Sequence, residues 1–214
     1  MTTAPPPQQP PGTPPVVYIV DDDAATLEAL AGMVRESGYT PVTFGSGTEF
    51  LDEAPDSGSA CLLLDYHMQG LGGLDTLLEL RRRNITLPTI MMNGRDNVRL
   101  AVQAMKLGAF DFIEKPHDTR ALQESLREAC ARSRELHEKS EERLRAQAAV
   151  EALTPRERDV FNLLILGAST KEAARELGLS PRTVDVYRAG LYQKTGSSGI
   201  ADLVRLAFHA GILD

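Results

Sequence analysis

Three consecutive aspartates, Asp21, Asp22 and Asp23, follow the apolar run VVYIV, and a further aspartate, Asp65, follows the run ACLLL. Asn93 comes after a third run, PTIMM, and Lys115 lies just past a fourth, FDFI. Carboxylates gathered in one place repel one another unless a hard divalent cation sits among them. Mg²⁺ suits such a place, because it takes one or two carboxylates and completes its shell with water and a phosphate oxygen. A carboxylate beside that ion can attack phosphorus and form an aspartyl phosphate, with the metal and a lysine ammonium holding the transferred charge. Asp65 is the candidate nucleophile. Singly, each residue has a plainer reading: Asp23 before AATLEAL caps a helix, and Lys115 before Pro116 is a surface lysine. Together, an acid pair, an aspartate about forty residues on and a Lys-Pro about fifty beyond it are hard to obtain by chance.

The elements that must position these residues are legible as an alternation. VVYIV (16–20), PVTF (41–44), ACLLL (60–64), PTIMM (88–92) and FDFI (110–113) read as five strands. Between them ATLEALAGMVRES, SGTEFLDEA, GLDTLLELRRR and DNVRLAVQAMKLG repeat apolar residues near the helical period, and Gly38 and Gly108 stand as helix stops. This alternation predicts βαβ units, hence an open, doubly wound, five-stranded parallel sheet with helices on both faces. Ligands of such sheets bind beyond the carboxyl ends of the strands. The polar residues above all fall at those ends, so they should converge on one crevice.

Charge divides the chain further. The net charge of −7 is uneven: residues 16–118 carry 8 Lys and Arg against 16 Asp and Glu, residues 119–152 carry 7 against 7, and residues 153–214 carry 8 against 7. An acidic front module and a nearly neutral back module joined by a charged connector follow from this. The first fifteen residues hold seven prolines and neither a basic residue nor an apolar block, which predicts a disordered tail (1–15) rather than a signal peptide or an anchor. No later segment is long and apolar enough to span a bilayer. The two cysteines, Cys61 and Cys130, supply no framework of bridges and no metal-ligand spacing, and fit a reduced cytoplasmic setting.

From Ala121 to Val150 there is neither proline nor glycine, and Arg, Glu, Ala and Leu dominate, which predicts a long helix. Leu122, Leu126, Ala129, Ser133 and Leu136 keep a four-three spacing, but Ser133 and Ser140 are poor seam residues and Leu144 is out of step. The expectation is a mostly solvated signalling helix rather than a strong dimer zipper.

In the back module, LTPRERDVF opens a helix with Thr154 as N-cap, Pro155 in the first helical position and Glu157 completing a capping box. TKEAARELGLSPRTVDVYRAGLYQKTG then gives two helices across a tight turn: Ala174 allows close approach, Gly178 makes the turn, Ser180 caps the second helix and Val184 points inward. That is helix-turn-helix spacing. On the second helix Arg182, Thr183, Asp185, Val186, Arg188 and Ala189 mix phosphate-binding groups with a small apolar surface able to meet a thymine methyl. The plain alternative is a solvated face with ordinary arginines, and a module charge of only +1 gives modest nonspecific DNA affinity.

VYIVDDD, LLLDYHM and AMKLGAFDFIEKP resemble the receiver domain of two-component response regulators over residues 16–118. LTPRERDVFNLL, STKEAARELGLSPRTVDVYRAGLYQKTG and ADLVRLA resemble the four-helix, all-α DNA-binding domain of LuxR-type regulators, close to the nitrogen-fixation regulator subgroup, over residues 153–210 of a domain expected at 153–214. The resemblance implies that Asp21, Asp22 and the backbone carbonyl of His67 hold Mg²⁺ with Asp65, that Asp65 takes a phosphoryl group from a sensor histidine kinase, and that Lys115 pairs with the phosphate. It makes Asn93 and Phe112 the switch positions. By position it makes Lys171, Arg182, Thr183, Val186, Tyr187, Arg188 and Lys194 the DNA contacts. The implied protein is a cytoplasmic transcription regulator, not an enzyme, with DNA and RNA polymerase as partners and a homodimer as its active form. The helical linker (119–152) would join the two domains.

Two residues depart from the receiver pattern. Asn93 stands where receivers place Thr or Ser, whose hydroxyl hydrogen-bonds the phosphoryl group when the switch closes; Gln69 stands four residues after Asp65, where the family has proline. Both motivate an alternative, a regulator that binds DNA without phosphorylation. A second alternative, a Mg²⁺-dependent phosphohydrolase of the haloacid dehalogenase type, draws on the D-x-D within Asp21–Asp23. That enzyme class would want Thr or Val at position 25, which is Ala.

Overall fold

A computed structural model of the chain describes residues 14–53, 60–94, 98–115 and 118–213. The predicted tail lies outside these residues except for Pro14 and Pro15, and so do Asp96 and Asn97 at the start of the fourth helical pattern and Pro116 of the Lys-Pro pair. The chain divides into two compact units, residues 1–137 and 138–214.

In the front unit, β1 (Val16–Val20), β2 (Thr40–Phe44), β3 (Ala60–Asp65), β4 (Thr89–Asn93) and β5 (Asp111–Glu114) alternate with α1 (Ala24–Glu36), α2 (Gly47–Glu53), α3 (Gly73–Arg82) and α4 (Val98–Lys106), and α5 (Thr119–Glu151) follows. The strands pair in parallel in the order β2-β1-β3-β4-β5. The winding direction reverses beside β1, so the carboxyl ends of β1 and β3 flank the crevice where an open sheet of this kind presents its ligands. β3 and β4 are buried throughout, which is why they read as continuous apolar runs.

Alternation along the strands sends side chains to two cores. Val17, Ile19, Cys61, Leu63, Ile90 and Met92 pack with Leu30 and Val34 of α1 and Leu122 and Leu126 of α5. Tyr18, Val20, Leu62, Leu64 and Met91 pack on the other face with Phe50, Leu77 and Ala104 of α2, α3 and α4. Asp65 and Asn93 are the last residues of β3 and β4, not the residues after them. The ladder continues past both: the Tyr66 N–H donates to the Met92 carbonyl and the Lys115 N–H to the Asn93 carbonyl. Asp65 is therefore held within the sheet, and the Asp21 N–H continues the β1–β2 ladder to the Phe44 carbonyl, while Asp22 lies in the bend that follows.

The four-three stripe of the connector is used within the front unit. Leu122, Leu126 and Ala129 are buried in the first core, and Ser133 is buried too, its Oγ accepting the Ala60 N–H at 3.0 Å. A serine that weakens a coiled-coil seam here satisfies the first amide of β3.

In the back unit, α6 (Pro155–Ile165), α7 (Thr170–Leu177), α8 (Pro181–Thr195) and α9 (Ile200–His209) enclose a core of Val160, Phe161, Leu164, Ala173, Val184, Leu191 and Leu203, which Ala146 and Val150 of α5 join. Thr154 and Glu157 form the expected capping box, and Ser169 with Glu172 forms a second at the start of α7. Gly178 ends α7 in the left-handed region at φ 66°, a conformation that suits glycine, and Ser180 caps α8 by accepting the Thr183 N–H.

Candidate functional site

The carboxyl ends of β1 and β3 bring three carboxylates together. One ligand oxygen each from Asp21, Asp22 and Asp65 lies within 4.8 Å of the others. Asp21 and Asp65 are buried and Asp22 is exposed, so the cluster opens to solvent on the Asp22 side. Lys115, immediately past β5, reaches across the sheet, with Nζ 2.5 Å from Asp21 Oδ2 and 2.7 Å from Asp65 Oδ1. Asp21 also accepts the Asp23 N–H through Oδ1, while Asp23 caps α1 through Thr26. Each of the three neighbouring aspartates thus faces a different partner.

Three carboxylates and one ammonium leave two negative charges on the cluster, which a divalent cation would balance. The donors are all oxygens, the set a hard cation takes, and each carboxylate keeps lone pairs free of its present hydrogen bonds. The residues present therefore fit Mg²⁺.

Electrostatics divide the pair. Burial is the strongest influence on Asp65 and raises its pKa, against the hydrogen bond and charge of Lys115 and the His67 N–H, while Asp21 adds to the rise. Burial is also the strongest single influence on Lys115 and opposes its charge, but the hydrogen bonds and charges of Asp21 and Asp65 together hold its pKa above the ordinary value. The ion pair favours both charged forms, yet the carboxylate still pays for its burial, since two acids share one ammonium.

The loop after β3 is tied to this cluster. The Gln69 N–H donates to Asp22 Oδ2 at 2.9 Å, a bond that proline could not make. The loss of the proline ring from the family pattern is thus offset by a hydrogen bond that fastens the loop to the acid pair. His67 is exposed, its ring edge-on to Tyr66 at 4.8 Å between centroids. Gly73, at the start of α3, lies so close to the end of β3 that a Cβ there would overlap the Asp65 carbonyl. Asn93 is fully buried and Phe112 half-buried against the second core.

The back unit distributes its predicted contacts unevenly. Lys171 and Arg182 are exposed, and Val186 is 66% exposed at the middle of α8. Thr183 takes part in the cap of α8 through Ser180, and Tyr187 packs on the core. The Arg188 guanidinium donates to Thr170 Oγ1 of α7 at 2.7 Å, pairs with Asp185 at 3.3 Å and lies 5.7 Å from the Tyr192 ring centre. Lys194 donates to Glu157 Oε2 at 2.6 Å, joining the end of α8 to the capping box of α6. Arg188 and Lys194 are both engaged inside the unit, a pairing that sequence spacing does not reveal. The apolar exposure of Val186 beside Arg182 is what the helix-turn-helix spacing leads one to expect.

Residues 17–127 match the response regulator receiver domain, and residues 151–207 match the luxR family of bacterial regulatory proteins. The chain is 39% identical over 188 residues to the transcriptional regulatory protein FixJ of Azorhizobium caulinodans, covering 88% of this chain and 89% of that one. It is 40% identical over 192 residues to FixJ of Bradyrhizobium diazoefficiens, covering 89% and 93%. Among solved structures, the response regulator StyR superposes with a TM-score of 0.84 at 30% identity, covering 92% of this chain and 99% of that one. Full-length FixJ from B. japonicum superposes with a TM-score of 0.56 at 37% identity, covering 94% and 100%. The chain belongs to the response regulators in which a receiver domain is followed by a LuxR-type domain, and is a DNA-binding transcriptional regulator of the nitrogen-fixation regulator subgroup.

Proposed function

We propose that Asp65 is the phosphoacceptor of the front domain and that its phosphorylation by a sensor histidine kinase controls dimerisation and promoter binding through the back domain. The observation that carries this reading is the meeting of Asp21, Asp22, Asp65 and Lys115 at the carboxyl ends of β1, β3 and β5. An Asp65 carboxylate oxygen attacks the phosphorus of a phosphohistidine; the oxygen–phosphorus bond forms as the phosphorus–nitrogen bond breaks, and the kinase imidazole leaves with its electron pair. Lys115, already hydrogen-bonded to Asp65, follows the charge onto the phosphoryl oxygens. Asp21, Asp22, Asp65 and the His67 carbonyl are the residues that would hold Mg²⁺, which supplies charge neutralisation at the transferred group. Asn93 and Phe112 are assigned to the switch that reads the phosphate. We assign residues 16–118, together with the first half of α5 whose Leu122, Leu126 and Ala129 complete the first core, to the receiver, the rest of 119–152 to the linker and 153–214 to the DNA-binding domain.

In that domain Lys171, Arg182, Thr183 and Val186 are assigned to DNA, Arg182 to the phosphate backbone at the first turn of α8 and Val186 to the groove. Arg188, one of the DNA contacts expected from the sequence, is reassigned as a brace between α7 and α8, because its guanidinium is engaged by Thr170, Asp185 and Tyr192. Tyr187 and Lys194 serve the DNA surface by holding α8 on the core and on α6. Among the described residues no helix is long and apolar enough to cross a membrane. As a DNA-binding regulator, the protein is proposed to act in the cytoplasm beside RNA polymerase. Incubation of the full chain with phosphoramidate and Mg²⁺, followed by intact-mass measurement, tests the assignment. One phosphoryl group should add to the parent and none to Asp65→Asn; equal labelling of both would remove Asp65 from the role.

A further inference from the structure

The two cysteines are 69 residues apart in sequence, yet the fold places their sulfurs 3.4 Å from each other. Cys61 is the second residue of β3 and Cys130 lies on α5; both are free thiols, 0% and 3% exposed, within the core between the sheet and α1 and α5. Sequence spacing gives no hint of a bridge because the pairing is made by the docking of α5. A disulfide bond of about 2.0 Å needs the sulfurs to approach by roughly 1.4 Å, a movement within reach of side-chain rotation. Ser133, one turn further along α5, holds the same helix to the first amide of β3, so the two segments are fixed in register around the thiols.

The two thiols differ. Cys130 lies on the connector helix, where its neighbours Ala131, Arg132 and Arg134 are exposed, whereas Cys61 is enclosed on a central strand. The hydrogen bond shared with Cys61 and the charge of Arg134, one turn further along α5, favour the Cys130 thiolate against the cost of burial, and its place beside the exposed side of that helix assigns Cys130 as the nucleophile of the pair. Cys61, held in the thiol form by that same hydrogen bond and by burial, is positioned as the resolving partner.

We propose that Cys61 and Cys130 are an oxidisable dithiol that takes a hydroperoxide as its co-substrate and closes to an intramolecular disulfide between β3 and α5. The Cys130 sulfur attacks the peroxide oxygen, the oxygen–oxygen bond breaks, and one alcohol or water leaves while Cys130 becomes a sulfenic acid. Cys61 then displaces water from that sulfur, so two thiols are oxidised and one peroxide is reduced. Cys61 lies on the same strand and the same face as Asp65, four residues before it, so the bridge ties the strand bearing the acceptor to the part of α5 that completes the front core.

Hydrogen peroxide titrated against the reduced full-length protein tests this, with denaturing alkylation and peptide mapping at each step. Met105, 48% exposed on α4, provides an internal gauge of oxidant dose. Cys61 and Cys130 should lose alkylation together, appear as one cross-linked peptide pair in the monomer, and be restored by dithiothreitol. In Cys61→Ser, Cys130 should be trapped by dimedone as the sulfenic acid, while in Cys130→Ser the remaining Cys61 should stay alkylable. Full alkylation of both cysteines in the parent once Met105 has become the sulfoxide would overturn the proposal. So would a sulfinic acid at Cys130 without a cross-link, or a bridge between two chains.

Discussion

At Gln69 a departure from the receiver pattern has become a contact. Its N–H holds Asp22, and this bond depends on the backbone rather than the side chain. Gln69→Ala should therefore leave Mg²⁺ affinity unchanged, whereas Gln69→Pro should weaken it by about 2- to 10-fold, the worth of one net hydrogen bond; titration of the full chain followed by NMR separates the two variants, and equal affinities would show that the bond does not position Asp22. Arg188 makes the opposite point, since its position on α8 suggested a DNA contact and its partners indicate bracing. Arg188→Ala should weaken binding to selected and scrambled duplexes alike, while Val186→Ala should act on the selected duplex alone. The cluster itself was legible, because carboxylates and a lysine at strand ends are visible in the order of the chain. The ties of Asp22, Arg188 and Lys194 were not, because each crosses between segments 18 or more residues apart.

The elements show where periodicity sufficed and where it misled. The strands are legible from apolar runs bounded by turns, but β3 and β4 each run one residue beyond the apolar run, to Asp65 and Asn93, because a polar side chain ends the apolar face without ending the ladder. The stripe on α5 was legible as a seam; that its partner is the sheet of the same chain was not, since a spacing does not name what it packs against. Ser133 carries the test. Ser133→Ala leaves the buried Ala60 N–H without its acceptor and should destabilise the front domain by about 1–3 kcal/mol, measured by urea unfolding. At α6, the Glu157 carboxyl is held below the ordinary carboxylate range first by the Lys194 hydrogen bond and then by the Thr154 N–H. A depressed pKa contributes stability that is present above the unfolded value of 4.5 and lost as pH falls through the folded value. Unfolding of the back domain followed by NMR should thus show stability falling on acidification below pH 4.5, and Glu157→Gln should flatten that part of the profile.

For the whole molecule, two families in one chain define a signal and a response, and the charge division between residues 16–118 and 153–214 had already separated them. What composition could not supply is the strength of coupling. Phosphate moves a two-state equilibrium only by its differential affinity for the two states, and at the proposed switch position Asn93 stands where receivers carry a hydroxyl able to make a state-selective hydrogen bond. Asn93→Thr should increase the dimer fraction under phosphorylating conditions; sedimentation with and without phosphoramidate checks this, and identical dimerisation of parent and variant would remove Asn93 from the switch. The central claim, that Asp65 governs DNA binding by α8, is tested most directly by the affinity of the full chain for a duplex selected from a random-sequence pool, measured with and without phosphoramidate in the parent and in Asp65→Asn. The account predicts that the donor raises the parent's affinity about five-fold or more and leaves Asp65→Asn unchanged; a parent that binds equally well with and without donor, or an Asp65→Asn protein that gains the same affinity, would contradict it.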